Sequence, residues 1–183
     1  LNHYSRFSMG NDAADYNNDG QLDLITVDML PADEKTLKTY GSDEHVDIYN
    51  QKILKNGYQN QVSRNCLQRN NGDGVSFSDV ALMSGVSATD WSWSPLFADF
   101  DNDGNKDLFI SSGIVKRPVD LDYVRFISNI YNHRALNSTD KYDNIALEKM
   151  PDGASHPFLF KGNGNAGFKD VSTLWGTSDM KGY

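Results

Sequence analysis

Asp15-Tyr-Asn-Asn-Asp-Gly-Gln-Leu-Asp23 and Asp99-Phe-Asp-Asn-Asp-Gly-Asn-Lys-Asp107 are near-copies of one another. Each puts an oxygen-bearing side chain at positions 1, 3, 5 and 9, with glycine at position 6. Calcium takes about six to eight oxygen ligands, and a glycine lets a short backbone wrap around it. The first loop offers Asp15, Asn17, Asp19, Asp23 and the carbonyl of Gln21. The second offers Asp99, Asp101, Asp103, Asp107 and the carbonyl of Asn105. An all-oxygen set favours calcium over zinc or copper, and magnesium prefers a tighter octahedron with retained water. Position 12 is Thr26 in one loop and Ile110 in the other, inside β-branched runs. An EF-hand would close there with a bidentate glutamate and continue into a helix. The plain alternative is a solvated turn, since Asp and Asn favour turns. Recurrence of the same four oxygen positions, and the mutual repulsion of clustered carboxylates, argue for two calcium sites instead.

Outward from the loops, the flanks fall into register. Phe7-Ser-Met-Gly10 corresponds to Trp91-Ser-Trp-Ser94, and each loop runs into a strand-like stretch, Leu22–Val27 or Leu108–Ser111. Downstream, Leu67–Gly74 leads into Phe77-Ser-Asp-Val80, and Leu159–Asn165 into Phe168-Lys-Asp-Val171. Both pairs read as strand, Gly/Asn turn, strand. One unit is therefore strand, acidic loop, strand, insertion, strand, glycine turn, strand. The fold class expected is mainly β, with antiparallel four-stranded blades of a β-propeller, about two of them, carrying helical insertions. The first repeat spans residues 1–90 with an insertion at about 31–58, and the second 91–183 with an insertion at about 115–155. Helices are expected over Ala32–Tyr40, over His45–Asn56 with Gly57 as its stop, after a capping Asp120, and over Asn144–Met150. The third of these would carry Leu121, Val124, Ile127 or Ser128, and Tyr131 on one stripe. Two units cannot close a ring, so a piece of a longer array is expected.

Bulk properties narrow the function. The net charge of −8 argues against nucleic acid, which demands a basic patch. One cysteine, Cys66, precludes an internal disulfide. No apolar run approaches the ~20 residues of a membrane span.

The strings Asp15–Leu24 and Asp99–Leu108, the Trp91-Ser-Trp-Ser94 lead-in and the Asn70–Gly74 turn with Phe77 resemble the FG-GAP, or VCBS-type, repeat family. The integrin alpha-chain propeller is of the same broad class. The likeness is greatest to large surface or secreted proteins of Gram-negative bacteria. It implies a calcium-stabilised propeller on the cell surface or outside the cell, the ten loop residues named above as metal ligands, and further blades of the same protein as neighbours. It implies no single activity. Asn17 stands where an acid is usual, which predicts a slightly weaker first site.

Two functional classes follow. One is a recognition module, not an enzyme, presenting a surface to a protein or glycan. The other is part of a calcium-containing enzyme acting on polysaccharides, for which Arg125, Tyr131, His133 and Arg134 are the available groups. No spacing marks these four as catalytic. Insertion aromatics such as Tyr123, Phe126, Tyr131 and Tyr142 are the better sugar platform. Trp91 and Trp93 are expected in the core with Phe7 and Met9 as counterparts. Gly162, Gly164 and Gly167 spell G-x-G-x-x-G but precede a strand, where a dinucleotide site needs a helix. The four histidines match no zinc spacing. Cys66 reads as a small buried hydrophobe. Asn137-Ser-Thr139 fits a glycosylation acceptor.

Overall fold

The computed structural model describes residues 3–41, 46–134, 141–165 and 167–183. Among them run β1 (His3–Ser5), β2 (Gly10–Ala14), β3 (Asp23–Val27), α1 (Glu34–Thr39), α2 (Val46–Asn56), β4 (Asn60–Val62), β5 (Cys66–Asn70), β6 (Phe77–Asp79), β7 (Ser92–Ala98), β8 (Asp107–Ser112), α3 (Leu121–Arg134), α4 (Lys141–Lys149), β9 (Phe158–Gly162) and β10 (Phe168–Asp170). The chain is mainly β. Strands β2-β3-β5-β6 form one four-stranded sheet and β7-β8-β9-β10 another, antiparallel throughout. An acidic loop joins the first two strands of each, a helical insertion the middle pair and a glycine turn the last pair. A parallel pair of three-residue strands, β1 and β4, stands apart from both sheets.

Side-chain alternation decides which faces meet. Asp23, Ile25 and Val27 on β3 are buried while Leu24 and Thr26 are only partly so, as the period of two requires. Ile25 lies opposite Leu67, so both face the same way. From the second sheet Leu108, Ile110, Phe158 and Phe160 join them in one core. Burying each such side chain contributes about 1.5–3 kcal/mol. The sheets touch along β2 and β7. Phe97 donates its N–H to Asp12 Oδ2 at 2.7 Å, and a Cβ on Gly10 would come within 2.3 Å of the Trp93 carbonyl.

Helices occupy both insertions, and α4 starts at Lys141, three residues before the expected Asn144. Asp33 caps α1, accepting the Thr36 N–H at 2.9 Å. Asp120 Oδ1 accepts the Tyr123 N–H at 2.9 Å at the start of α3. Gly57, just past α2, has φ +69°, the left-handed conformation of a helix stop. His45 and Asn137-Ser-Thr139 lie outside the described residues, as do the side chains of Tyr131, His133, Arg134 and Tyr142. No helix among the described residues is long and apolar enough to cross a membrane.

Two packing expectations are corrected. Trp93 is 41% exposed, and Phe7 is exposed as well. A register shift between Ser92 and Ser94 breaks the alternation that would turn Trp93 inward, and its Nε1 donates to the Gly113 carbonyl at 2.6 Å. Trp91 precedes β7 and is half-buried; of the four, Met9 packs against the core. Among the described side chains of α3 the buried one is Tyr123, whereas Leu121 and Val124 are exposed.

Candidate metal centres

Both acidic loops fold around the carboxylate at position 1. The Asp19 N–H donates to Asp15 Oδ1 at 3.0 Å and the Gly20 N–H to Asp15 Oδ2 at 2.8 Å. The matching bonds in the second loop, Asp103 to Asp99 Oδ1 and Gly104 to Asp99 Oδ2, measure 3.1 and 2.9 Å. Position 7 then donates to position 5: Gln21 to Asp19 and Asn105 to Asp103, both at 2.9 Å. The tight wrap needs left-handed backbone at positions 4 and 6. Asn18 and Asn102 both have φ +58°, and Gly20 and Gly104 have +83° and +87°. Asparagine and glycine are the residues that tolerate this region.

Position 9 opens the next strand and is buried beneath the loop. Asp23 is 1% exposed and Asp107 0%. Each is anchored from the neighbouring strand end: Asp23 Oδ1 accepts the Asn70 N–H at 2.8 Å and Asp107 Oδ1 the Gly162 N–H at 3.0 Å. Asp107 Oδ2 also accepts the Phe100 N–H at 2.9 Å. Asp23 Oδ2, by contrast, is buried with no hydrogen-bond partner. The Tyr16 N–H lowers this carboxyl's pKa but falls outside hydrogen-bonding geometry. Burial dominates and pushes Asp23 above its ordinary value; the Asn70 N–H opposes this, and the charges of Asp19 and Asp15 reinforce it.

The second loop gathers carboxylate oxygens of Asp99, Asp101 and Asp107 within 4.8 Å of one another. Oxygens each about 2.3–2.6 Å from one calcium ion would lie at such separations. No second trio of this kind forms among the described residues. In the first loop Asn17 replaces an acid, and its amide nitrogen donates to Asp19 Oδ2 at 2.8 Å. Both loops nevertheless fit a hard cation. One has the converging trio, and the other has an orphaned buried carboxylate oxygen beside Asp15 and Asp19. The loops are neighbours, since Asn18 Nδ2 donates to Asn105 Oδ1 at 3.1 Å.

The structure adds a residue that motif reading passed over. Lys161 on β9 bonds Asp101 Oδ2 and, at 2.7 Å, Asp103 Oδ2. That contact holds Asp103 below the ordinary carboxylate range and raises the lysine. Its counterpart on β5 is Arg69, which lines a cavity of about 390 Å³ with Asn17, Asp19 and Gln21. The signal was the recurrence of a cation just before each glycine turn.

The rival chemistries find little support. Cys66 is fully buried, and that burial, with the nearby Asp79 carboxylate, pushes its thiol up to about 12, away from a nucleophilic thiolate. Gly162 ends β9, and β10 begins at Phe168, so no helix follows the G-x-G-x-x-G. His3 bonds Asp79 at 2.6 Å and His156 packs against Phe158. Arg125 is exposed on α3.

No curated protein and no solved structure matches the chain. Residues 42–110 match the family of the FG-GAP-like repeat. That segment leaves the first insertion, runs through β5 and β6, crosses into the second sheet and takes in the whole of its acidic loop. Within residues 42–110, the chain is similar to the FG-GAP-like repeat family.

Proposed function

We propose that the two sheets are successive blades of a calcium-stabilised β-propeller, in a protein of the bacterial surface or exterior, which presents a recognition surface to a protein or glycan. The convergence of Asp99, Asp101 and Asp107 carries the metal reading. The orphaned Asp23 oxygen supports it in the first loop. Asp15, Asn17, Asp19, Asp23 and the Gln21 carbonyl would hold one ion. Asp99, Asp101, Asp103, Asp107 and the Asn105 carbonyl would hold the other. A bound ion supplies positive charge that offsets carboxylate repulsion and ties each loop to its strands. Ligand binding to the folded state alone adds RT ln(1 + [L]/Kd), about 2.7 kcal/mol at a hundredfold excess over Kd. Extracellular calcium suffices to fill even weak, millimolar-class sites.

The test is thermal. Calcium added to chelator-treated protein should raise Tm, and Asp19→Ala combined with Asp101→Ala should abolish the rise. A melting temperature indifferent to calcium in the unmutated protein would sink the proposal.

A further inference from the structure

We propose that Lys161 sets the order in which the two acidic loops fill, so that the second loop takes calcium more weakly than the first despite carrying one more carboxylate. This rests on the calcium reading of the loops and reverses the ranking expected from Asn17 alone. The two loops are equivalent in backbone, and their supporting strands are in register: the N–H groups of Asn70 and Gly162 bond the position 9 carboxylates in the same way. Arg69 and Lys161, one residue earlier on each strand, are therefore structural counterparts. They behave differently. Lys161 places its ammonium on Asp101 Oδ2 and on Asp103 Oδ2, and Asp101 belongs to the trio that converges on the cation position. A cation entering this loop must displace the ammonium or share Asp101 with it, and it meets a like charge in either case. Arg69 makes no ion pair among the described residues. It stands at the wall of a cavity with Asn17, Asp19 and Gln21, leaving the carboxylates of Asp15 and Asp19 to the loop's own N–H groups. A lysine is a compact point charge that can enter a ring of carboxylates, whereas the planar guanidinium is bulkier and more readily held outside it.

The experiment is calorimetric titration of calcium chloride into the full chain, with each loop disabled in turn. Asp15→Asn with Asp19→Asn reports the second loop alone, and Asp99→Asn with Asp103→Asn reports the first. The second loop should show the larger Kd. Adding Lys161→Met to the background that reports the second loop should tighten its Kd about 1.5-fold to fivefold, the range of a partly exposed ion pair. Lys161→Gln should do the same, and Lys161→Arg should not match them. Lys161 is partly exposed at the sheet surface, and a thermal melt in chelator checks that each variant folds. A second loop that binds more tightly than the first, or whose affinity is unchanged or lowered by Lys161→Met, overturns the inference while leaving the calcium reading intact. Absence of binding heat from both loops in the unmutated chain overturns both.

Discussion

Asp23 and Asp107 occupy equivalent places under their loops, yet only Asp107 has both oxygens bonded. Removing a buried acceptor leaves its donors unsatisfied, at about 1–3 kcal/mol each. In chelator, Asp107→Ala strands the N–H groups of Phe100 and Gly162 and should lower unfolding free energy by about 2–6 kcal/mol. Asp23→Ala strands one N–H and relieves a carboxylate that burial disfavours, so its loss in chelator should be smaller. Urea denaturation of the two variants decides this, and equal losses would contradict the asymmetry. Another acid with a buried side chain sits away from the loops. Asp79 is bonded by His3 at 2.6 Å and Arg64 at 2.8 Å. Burial raises its pKa, but the Ala81 N–H, His3 and Arg64 together outweigh burial and leave it below its ordinary value of 3.8. The native state then binds fewer protons than the unfolded chain in that window. Its stabilisation is present above the ordinary aspartate value and disappears as pH falls through the folded one. Asp79→Asn should flatten this acid limb of a stability–pH curve. At neutral pH it should cost about 2–4 kcal/mol, because it leaves the Arg64 charge without its carboxylate. An unchanged acid limb would count against this role.

At the scale of elements, the acidic loop was the most legible piece of the chain because its backbone and side-chain requirements coincide. Glycine at position 6 answers a left-handed φ in both copies. Open space surrounds a Cβ built on Gly20 or Gly104, so Gly104→Ala has no steric penalty and carries only the conformational one, about 1–2 kcal/mol. Asn102→Gly should be nearly neutral, since the same conformation is kept. Chemical denaturation of the pair separates these effects; a neutral Gly104→Ala would show that the loop relaxes to another backbone. The start of α3 was legible for a similar reason, because Asp120 caps with its own side chain. The register shift between Ser92 and Ser94 was not. A bulge inserts no signature residue here, and it turned the expected core position of Trp93 into a half-exposed one held by Gly113. The β1–β4 pair was equally silent, since three residues are too few to show a period. Lys161 needed three dimensions, because its carboxylate partners lie about sixty residues away in sequence.

For the molecule as a whole, position 2 of each loop reports how the sheets stack. Tyr16 is 1% exposed. It lies between the sheets, with ring centroids 6.2 Å from Phe97 and 5.5 Å from Phe168. Phe100 holds the same position in the second loop and is 42% exposed. Leu96 shows the same pattern: it is exposed on β7, whereas its β2 counterpart, Asp12, accepts the Phe97 N–H of the second sheet. The difference lies in what covers each face, because the loops themselves are alike. Tyr16→Ala should therefore cost about 3–5 kcal/mol, the range for truncating a buried aromatic. Phe100→Ala in this chain should cost about 1 kcal/mol or less, as for a surface site. The propeller reading adds a sharper expectation. If a third sheet of the same repeat stacks on the second as the second stacks on the first, Phe100 becomes the counterpart of Tyr16 in burial as well as in sequence. In a protein extended by one further repeat, the cost of Phe100→Ala should then climb towards that of Tyr16→Ala. Equilibrium unfolding of both variants in the 183-residue chain and in the extended one measures the climb. A Phe100→Ala cost that stays at the surface value in the extended protein would mean that successive sheets do not stack in register, and the propeller would have to be abandoned.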